Sequence, residues 1–296
     1  MISKTAMITI CGRPNVGKST LTNALAGEKI AIVSNKPQTT RNRITAVCQR
    51  GETQFVFLDT PGFHKPRTRL GDYMVNVVRQ SVADVDAVVL VVEPVASLGP
   101  QERELIASIK AANCPAVLAI NKLDTVEPEK LLAVIALYSE AYAFNAIVPI
   151  SAKTGDGVEE LLKELDKFAV ESPALFPEGV TTDQPEKQVC AELIREKLLL
   201  NLEREVPHGT AVEITRFSER DDGIIDLEAT IYCEKASHKG IIIGKHGAML
   251  KKISTEARQD IERFMGTKVY LETWVKVKEN WRDNMNYIRS FGYNDQ

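Results

Sequence analysis

The stretch Gly12 to Ser19 contains residue types suited to binding a triphosphate. It reads Gly-Arg-Pro-Asn-Val-Gly-Lys-Ser, which fits G-x-x-x-x-G-K-[ST], and it directly follows an apolar run. Glycines let the main chain approach phosphates and adopt positive φ angles. Lys18 is expected on the β and γ phosphates and the Ser19 hydroxyl on Mg²⁺, while the helix that begins here directs its positive end at the anion. A plain turn between strand and helix is the alternative. The predicted contacts are Gly12, Arg13, Pro14, Asn15, Val16, Gly17, Lys18, Ser19 and Thr20.

Strand-like apolar runs alternate with helical runs over the first 170 or so residues. This alternation predicts an α/β domain with a mostly parallel central sheet, in which ligands bind at the carboxyl ends of the strands. The predicted strands are Ala6–Cys11, Thr45–Cys48, Gln54–Leu58, Ala87–Val92, Ala116–Ile120 and Ala146–Ile150. The predicted helices are Ser19–Leu25, Leu70–Val82, Pro100–Ala111, Pro128–Ala141 and Val158–Phe168.

The third run leads into a tetrapeptide that fits D-x-x-G. The carboxylate of Asp59 can hold Mg²⁺ through water, and the N–H of Gly62 can reach the γ-phosphate. Alone, this sequence is a common turn, but its place one strand beyond the phosphate-binding stretch favours the functional interpretation. We predict nucleotide contacts from Asp59, Thr60, Pro61, Gly62 and Phe63.

Two further motifs follow the fifth and sixth runs. The first fits N-K-x-D, and its carboxylate, Asp124, can accept paired hydrogen bonds from N1–H and the exocyclic amine of guanine. Adenine has no such donors on that edge, and a buried unpaired carboxylate would reject it. The second motif can receive the guanine carbonyl on its backbone and pack its lysine stem on the ring. The predicted base contacts are Asn121, Lys122, Leu123, Asp124, Ser151, Ala152 and Lys153.

Four motifs in this order predict a GTPase, and residues 1 to about 170 resemble the G domain of the translation-factor-related GTPases. The resemblance implies a switch loop at Gln38 to Arg41, in which we favour Thr40 over Thr39 as the residue that reaches Mg²⁺. A solvated loop is the alternative. The implied ligand set for Mg²⁺ is Ser19, Thr40 and, through water, Asp59. The residues assigned to catalysis are Lys18, Thr40, Asp59 and Gly62.

The residue after D-x-x-G departs from Ras-like enzymes, which place a water-orienting glutamine there. Phe63 cannot orient water by hydrogen bonding, so slow unaided hydrolysis is expected. Asn15 resembles the asparagine of potassium-activated GTPases, in which K⁺ supplies positive charge. GTP or GDP and Mg²⁺ are therefore the predicted ligands, with K⁺ left open. The switch prediction also covers the loop from Thr60 to Arg69.

A proline-rich stretch predicts a linker at residues 173–187, between a G domain at 1–172 and a second domain at 188–296. The second domain combines helices with strands, and a turn at Asp221-Asp222-Gly223 suggests an antiparallel hairpin. Its order of elements resembles an α+β KH domain of the bacterial type (type II). The predicted elements are the helix Gln188–Leu202, the strands Ala211–Phe217 and Ile224–Tyr232, the helix Ala248–Phe264, the strand Val269–Val277 and a last helix near Asn280–Phe291.

Gly244 to Gly247 is a G-x-x-G segment that joins two predicted helices. In KH domains such a loop approaches the phosphates of single-stranded RNA, beside an apolar groove that receives the bases. A helix-to-helix turn is the alternative. Residues 235–289 carry twelve Lys or Arg against six Asp or Glu in a chain of net charge −3, so the basic character is local. The predicted RNA contacts are Lys239, Ile243, Gly244, Lys245, His246, Gly247, Lys251 and Lys252.

Composition is that of an ordinary globular protein, with 44% hydrophobic and 26% charged residues. Five widely spaced cysteines indicate a reducing compartment and exclude a disulfide framework or a zinc knuckle. We find no secretory signal, and the longest apolar stretches are too short to span a bilayer, so a cytoplasmic location is expected.

A G domain followed by a KH domain resembles the Era-like family of bacterial ribosome-assembly GTPases over nearly the whole chain. The resemblance implies a switch that binds the 3′ region of small-subunit ribosomal RNA and assists maturation of the small ribosomal subunit. It leaves peripheral association with the inner face of the cell membrane open, and we expect a monomer. Two alternatives remain at this point. One is a GTPase of tRNA modification or of membrane or cell-cycle signalling, and the other is an RNA-binding protein that does not hydrolyse GTP.

Overall fold

The computed structural model describes residues 2–63, 66, 68–81 and 85–293 of the chain. These residues form two units. The first contains 2–31, 40–63, 66, 71–81 and 85–183, and the second contains 32–39, 68–70 and 184–293. Residues 173–183 of the predicted linker therefore group with the first unit, where the main-chain N–H groups of Leu175 and Phe176 donate to the side chain of Gln54 at 2.8 and 2.9 Å.

Apolar runs form the sheet of the first unit, and its central strand has the sequence Ala-Val-Val-Leu-Val-Val with every residue buried. Such a run is typical of a strand covered on both faces. Among the described residues the strands are β1 (Lys4–Cys11), β2 (Ile44–Arg50), β3 (Thr53–Asp59), β4 (Ala87–Val92), β5 (Ala116–Ile120), β6 (Ala146–Pro149) and β7 (Val170–Glu171).

The strand order is β2-β3-β1-β4-β5-β6, and β7 pairs with β1. Strands β2 and β7 run antiparallel to their partners, and the other pairs are parallel. The prediction of a mostly parallel sheet is confirmed. The loops at the carboxyl ends of β1, β3, β5 and β6 hold the four predicted motifs, as expected for this topology.

Helices connect these strands close to the predicted positions, and two of them begin with proline at a position that tolerates it. They are α1 (Lys18–Ala26), α2 (Arg69–Ser81), α3 (Pro100–Ala112), α4 (Pro128–Ala141) and α5 (Val158–Asp166). The prediction that the last of these continues to Phe168 is wrong, because a tight turn intervenes and β7 follows. Val82, the predicted end of α2, lies outside the described residues.

The second unit packs helices on one three-stranded sheet. The predicted hairpin is confirmed, because its two strands pair antiparallel, and the third strand pairs parallel with the second. The predicted architecture, an α/β domain with a mostly parallel sheet followed by an α+β domain, is confirmed. The elements are α6 (Glu186–Asn201), β8 (Ala211–Glu219), β9 (Ile225–Cys233), α7 (Ala236–Ile243), α8 (Ala248–Met265), β10 (Val269–Val277) and α9 (Met285–Ser290).

The last helix is shorter than predicted. Asn280 adopts φ 52°, a short 3₁₀ turn follows at Trp281–Asp283, and the side chain of Asn284 caps the helix by accepting from the N–H of Asn286. Asparagine tolerates the left-handed region and competes with helix continuation. The predicted single helix is therefore divided into a turn and a six-residue helix.

The two tryptophans of the chain have opposite surroundings. Trp281 is fully buried, its indole N–H donates to the carbonyl of Gly209 at 2.9 Å, and its ring packs edge-on against Phe291. Trp274, on β10, is 58% exposed. Both belong to the second unit.

All five cysteines are buried with free thiols. Burial raises the pKa of Cys11 and of Cys190 to about 12. Over residues 2–63, 66, 68–81 and 85–293, no helix has the length and apolar character needed to cross a membrane.

Candidate nucleotide site and nucleic-acid interface

The loop after β1 forms a tight cradle whose backbone is closely packed. Gly17 adopts φ +98°, and a Cβ atom there would lie 2.2 Å from the side-chain nitrogen of Asn121. A Cβ atom on Gly12 would lie 2.4 Å from the carbonyl oxygen of Val91. Both glycines are therefore required by close approach of neighbouring segments, in addition to any ligand.

Lys18 lies within this loop and is 5% exposed. Its Nζ donates to the carbonyl oxygens of Gly12 at 3.3 Å and Arg13 at 2.9 Å. Burial lowers the pKa of this ammonium, and the nearby Asp59 carboxylate opposes that effect. A buried cation inside a loop of main-chain groups is suited to an anionic ligand.

Three oxygen-bearing side chains meet beside the lysine. The hydroxyl of Ser19 lies 2.7 Å from the hydroxyl of Thr40 and donates to Oδ2 of Asp59 at 2.8 Å. Oδ1 of Asp59 is buried and has no hydrogen-bond partner among the described residues. Burial raises the pKa of this carboxyl to about 6, against the opposing effects of Lys18, Ser19 and the Thr60 N–H. A carboxylate, two hydroxyls and an unused buried oxygen are hard oxygen donors of the kind that Mg²⁺ prefers, so the residues present fit this ion.

The residues after β3 contact the phosphate-binding loop from the other side. A Cβ atom on Gly62 would lie 2.7 Å from Cα of Pro14. The N–H of Phe63 donates to the carbonyl of Gly12 at 3.1 Å, and its ring is buried in an apolar cluster that includes Val75. The ring therefore cannot serve as a polar contact for water. His64, Lys65 and Arg67, part of the predicted switch loop, lie outside the described residues.

Asn121 joins the three loops at the carboxyl ends of β1, β5 and β6. Its side-chain nitrogen donates to the carbonyl of Val16 at 2.8 Å, and its side-chain oxygen accepts from the N–H of Ala152 at 2.9 Å. Both polar ends of this buried amide are satisfied by main-chain groups. The first residue of N-K-x-D thus fixes the spacing between the phosphate-binding loop and the last motif.

The fourth residue of that motif presents a carboxylate to solvent. Asp124 lies in a single 3₁₀ turn, is exposed, and accepts a hydrogen bond from the hydroxyl of Ser151 at 2.7 Å through Oδ1. Lys153 is also exposed. A carboxylate held at one oxygen keeps the other oxygen available for a ligand, as hydrogen bonding to a guanine edge requires.

The predicted switch residues are divided between the two units. Thr40 lies at the nucleotide site, whereas Gln38 and Thr39 belong to the segment 32–39 of the second unit. Arg195 on α6 is fully buried and donates to the carbonyl oxygens of both residues, and Glu196 accepts from the N–H of Val33 at 2.9 Å. The geometry favours Thr40 over Thr39 as the residue near the predicted metal position. Sequence periodicity contained no signal for the attachment of this segment to α6.

Two glutamates that the motifs did not identify lie at the edge of the cradle. Glu93, the residue after β4, contacts Lys122 and Arg13, and Glu102 lies in the first turn of α3 with its Oε1 2.5 Å from Nε of Arg13. The sequence did contain one signal for Glu93: an acidic residue follows a buried strand directly, at the edge of the sheet where ligands bind.

The G-x-x-G segment of the second unit joins α7 to α8, as predicted. Gly247 precedes α8 with φ +77°, and a Cβ atom there would meet nothing within 4 Å. Gly244 ends α7, and a Cβ atom there would lie 2.7 Å from Cβ of Met249. His246 adopts φ 52° between them and is exposed. The loop therefore presents backbone, one imidazole and one ammonium group to solvent.

Exposed lysines surround this loop. Lys245 lies in it, Lys239 lies in the middle of α7, and Lys251 and Lys252 lie near the start of α8. Of these, Lys252 is 3.9 Å from Glu256. Ile243 is half-buried, and the neighbouring Ile241 is 50% exposed. Positive charge beside a glycine loop and an accessible apolar side chain is the combination that binds single-stranded RNA.

Both units resemble known protein families. Residues 7–122 match the model of the family described as 50S ribosome-binding GTPase, and residues 205–282 match the KH domain family. GTPase Era of Ruminiclostridium cellulolyticum is 52% identical over 99% of this chain and 98% of its own length. GTPase Era of Clostridioides difficile is 49% identical over 99% of each chain.

Two solved structures extend the likeness to the fold. Aquifex aeolicus Era bound to GDP and tetrafluoroaluminate superposes with a TM-score of 0.95 at 38% identity, covering 99% of this chain and 100% of the other. The same values hold for Era in complex with MgGDPNP and nucleotides 1506–1542 of 16S ribosomal RNA. Motifs, fold and identity along almost the whole length lead to one conclusion: this chain belongs to the Era GTPase family.

Proposed function

We propose that this chain is a GTP-driven molecular switch that binds the 3′ region of small-subunit ribosomal RNA through its KH unit and assists maturation of the small ribosomal subunit. The observation that carries this proposal is the meeting of Ser19, Thr40 and Asp59 beside Lys18, with one buried oxygen of Asp59 left for a ligand. The likeness to Era solved with a 16S ribosomal RNA segment supports the choice of RNA.

The nucleotide roles follow from the position of each side chain. Lys18 would bind the β and γ phosphates, and Ser19 and Thr40 would hold Mg²⁺ directly, with Asp59 acting through water. When bound, Mg²⁺ would neutralise charge on the phosphate oxygens. The N–H of Gly62 would bind the γ-phosphate, and the close approach of this residue to the phosphate-binding loop supports that role, since a Cβ atom on Gly62 would lie 2.7 Å from Cα of Pro14. Hydrolysis is an in-line attack by water, so this chain acts mainly by positioning and by charge stabilisation.

The base is expected to be guanine. Asp124 would accept hydrogen bonds from N1–H and the exocyclic amine, while the main chain near Ala152 would receive the carbonyl of the base and Lys153 would cover the ring. Calorimetry with GTP and ATP tests this assignment. Binding of ATP as tight as that of GTP would contradict it, because an adenine edge leaves the Asp124 carboxylate without its partners.

Turnover without a partner is expected to be slow, because the ring of Phe63 is buried where Ras-like enzymes carry a polar side chain. We propose that K⁺, bound near Asn15, supplies the missing positive charge. GTP turnover should then be faster in potassium chloride than in sodium chloride at equal ionic strength. Equal rates in the two salts would remove K⁺ from the mechanism.

RNA binding is attributed to the exposed loop and its lysines. If Lys239, Lys245 and one of Lys251 or Lys252 contact phosphates, the logarithm of affinity should fall against the logarithm of salt concentration. The expected slope is near −2, at about 0.7 per contact for a single strand. Fluorescence anisotropy with a labelled single-stranded RNA from the 3′ end of 16S ribosomal RNA measures this slope. An affinity independent of salt would contradict the assignment.

The target and its dependence on the nucleotide can be tested together by crosslinking the full chain to total cellular RNA in the presence of GTP or GDP. Enrichment of the 3′ region of small-subunit ribosomal RNA supports the proposal, whereas enrichment of tRNA favours a GTPase of tRNA modification. We further propose a G domain at 1–172, a linker at 173–187, a KH domain at 188–296 and a monomer located in the cytoplasm. Cell fractionation and sedimentation test location and oligomeric state.

A further inference from the structure

Glu93 has the position of a bridge between two nucleotide-binding motifs. It directly follows β4, and its two carboxylate oxygens contact residues of different loops. Oε1 accepts from Nζ of Lys122 at 2.5 Å, and Oε2 accepts from a guanidinium N–H of Arg13 at 3.1 Å. Lys122 is the second residue of N-K-x-D, and Arg13 is the second residue of the phosphate-binding loop. One side chain thus contacts both the base-recognition loop and the phosphate cradle.

The bridge continues into the backbone of the cradle. Nζ of Lys122 also donates to the carbonyl oxygen of Asn15 at 2.7 Å, and Asn15 adopts φ +65° at the apex of that loop. On the other side, Nε of Arg13 lies 2.5 Å from Oε1 of Glu102, whose side chain is only 3% exposed. The result is a chain of alternating charges, Glu102, Arg13, Glu93 and Lys122, which is anchored in the first turn of α3.

A carboxylate beside a phosphate site is unexpected on electrostatic grounds, since it repels the ligand. The contacts explain why a glutamate is nonetheless suitable here. Its carboxylate accepts hydrogen bonds from the guanidinium of Arg13 and the ammonium of Lys122. Both cations are therefore held in fixed positions before an anionic ligand binds. The side chains of Arg13 and Glu93 are 35% and 30% exposed, and ion pairs of this kind contribute little to folding stability. A role in placing the two loops accounts for the geometry better than a role in folding.

We propose that Glu93 is a positioning residue for guanine nucleotide binding, which sets the spacing between the phosphate cradle and the N-K-x-D loop through Arg13 and Lys122. This inference rests on the proposed nucleotide site. It predicts that Glu93 increases the affinity for ligands that contact both loops together. The affinity for ligands that contact either loop alone should depend little on Glu93.

The test compares three ligands on the full chain carrying Glu93→Gln, which keeps the shape of the side chain and removes its charge. GDP should dissociate about tenfold faster than from the unmodified chain, the loss expected when one charge-assisted hydrogen bond is removed. Pyrophosphate, which uses only the cradle, and guanosine, which uses only the base loop, should each change less than twofold in competition assays. The melting temperature should remain unchanged.

The matched control is Glu104→Gln. Glu104 also forms an ion pair within the first unit, with Arg79 at 3.2 Å. Its carboxylate contacts neither nucleotide loop within the described part of the chain, so GDP release should be unchanged. Glu93→Asp keeps the charge on a shorter side chain and should recover part of the affinity. Unchanged GDP release in Glu93→Gln would overturn the proposal. Tighter binding of pyrophosphate and GDP together would also overturn it, because it would show that repulsion dominates. Failure of the nucleotide site itself would instead appear in the unmodified chain, as equal affinity for GTP and ATP.

Discussion

The nucleotide site and the G-x-x-G loop differ in how far their polar groups are buried and bonded before a ligand binds. At the nucleotide site, buried polar groups from several loops are bonded to one another, and Asn121 and Asp59 are largely or fully removed from solvent. At the G-x-x-G loop, the lysines are exposed and the backbone projects into solvent. The first arrangement favours selectivity, because a fully bonded polar network is rigid and cannot readjust to a ligand of different shape. The second favours graded, salt-dependent affinity, since each charge acts almost independently. Changes at the nucleotide site should therefore have the larger effects.

The largest effect is expected for Lys18→Ala. This substitution removes the buried cation at the centre of the cradle and should weaken GTP and GDP binding by at least a hundredfold, which is about 3 kcal/mol. Isothermal calorimetry measures the loss. Lys110→Ala, at an exposed lysine in the last turn of α3, is the control and should leave affinity unchanged. Normal GTP affinity in Lys18→Ala would contradict the role assigned to this residue.

Asp124→Asn should change which base is bound. The amide can donate where the carboxylate accepted, so xanthine nucleotides, which carry a carbonyl in place of the exocyclic amine, should be preferred over guanine nucleotides. We expect a loss for GDP of about a hundredfold, the effect of losing a hydrogen bond to a charged group. Competition between GDP and XDP for a fluorescent nucleotide is the measurement, and retained preference for guanine would show that another residue recognises the base.

Gly247→Ala tests the exposed loop, and Gly266→Ala supplies a close match. Both glycines have positive φ angles, +77° and +68°, and at both a Cβ atom would meet nothing within 4 Å. The two substitutions should destabilise the fold by a similar amount, about 1 kcal/mol. Only Gly247→Ala should weaken RNA binding, by about threefold to tenfold, because only that backbone is expected to approach phosphates. Equal RNA affinity in the two variants would remove Gly247 from the interface.

The smallest effect is expected when the pH is raised and the reactivity of the buried cysteines is measured. The cysteines of the two units should respond alike. Because burial raises the pKa of Cys11 and Cys190 to about 12, about one thiol in ten thousand is ionised at pH 8 in the folded chain. Raising the pH from 7 to 9 increases the thiolate fraction, but the buried thiols should remain unreactive. Labelling with a chromogenic disulfide reagent should be slow in the native chain and complete after denaturation. Rapid labelling of one thiol would reveal local opening of its unit.

The sequence identified residues whose chemistry depends on short spacing. The phosphate-binding motif, D-x-x-G and N-K-x-D place their side chains within a few residues of a strand end. The alternation of strands and helices was therefore enough to predict that these side chains lie at one edge of the sheet. The same holds for the G-x-x-G segment between two helices. The roles assigned to the individual residues remain predictions.

Features that depend on contacts distant in sequence were not predictable in the same way. Glu93 and Arg13 are eighty positions apart, and no motif links them. The attachment of residues 32–39 to α6 depends on a fully buried arginine, Arg195, although a charged residue on an amphipathic helix is usually solvated. Its charge is satisfied by Glu192 at 2.5 Å and by main-chain carbonyls, which are visible only once the helix is packed. The two-residue strand β7 is too short for a periodic pattern.

The placement of the two tryptophans determines what intrinsic fluorescence can report. Trp281 is enclosed by aromatic rings and Trp274 is in contact with water, and both belong to the second unit. Excitation at 295 nm will therefore follow the second unit alone, with a red shift from Trp281 when that unit unfolds. The first unit contains no indole and will be silent. A denaturation curve recorded in this way gives the stability of the RNA-binding part of the chain, and a nucleotide-bound first unit needs a separate probe, such as a fluorescent guanine nucleotide.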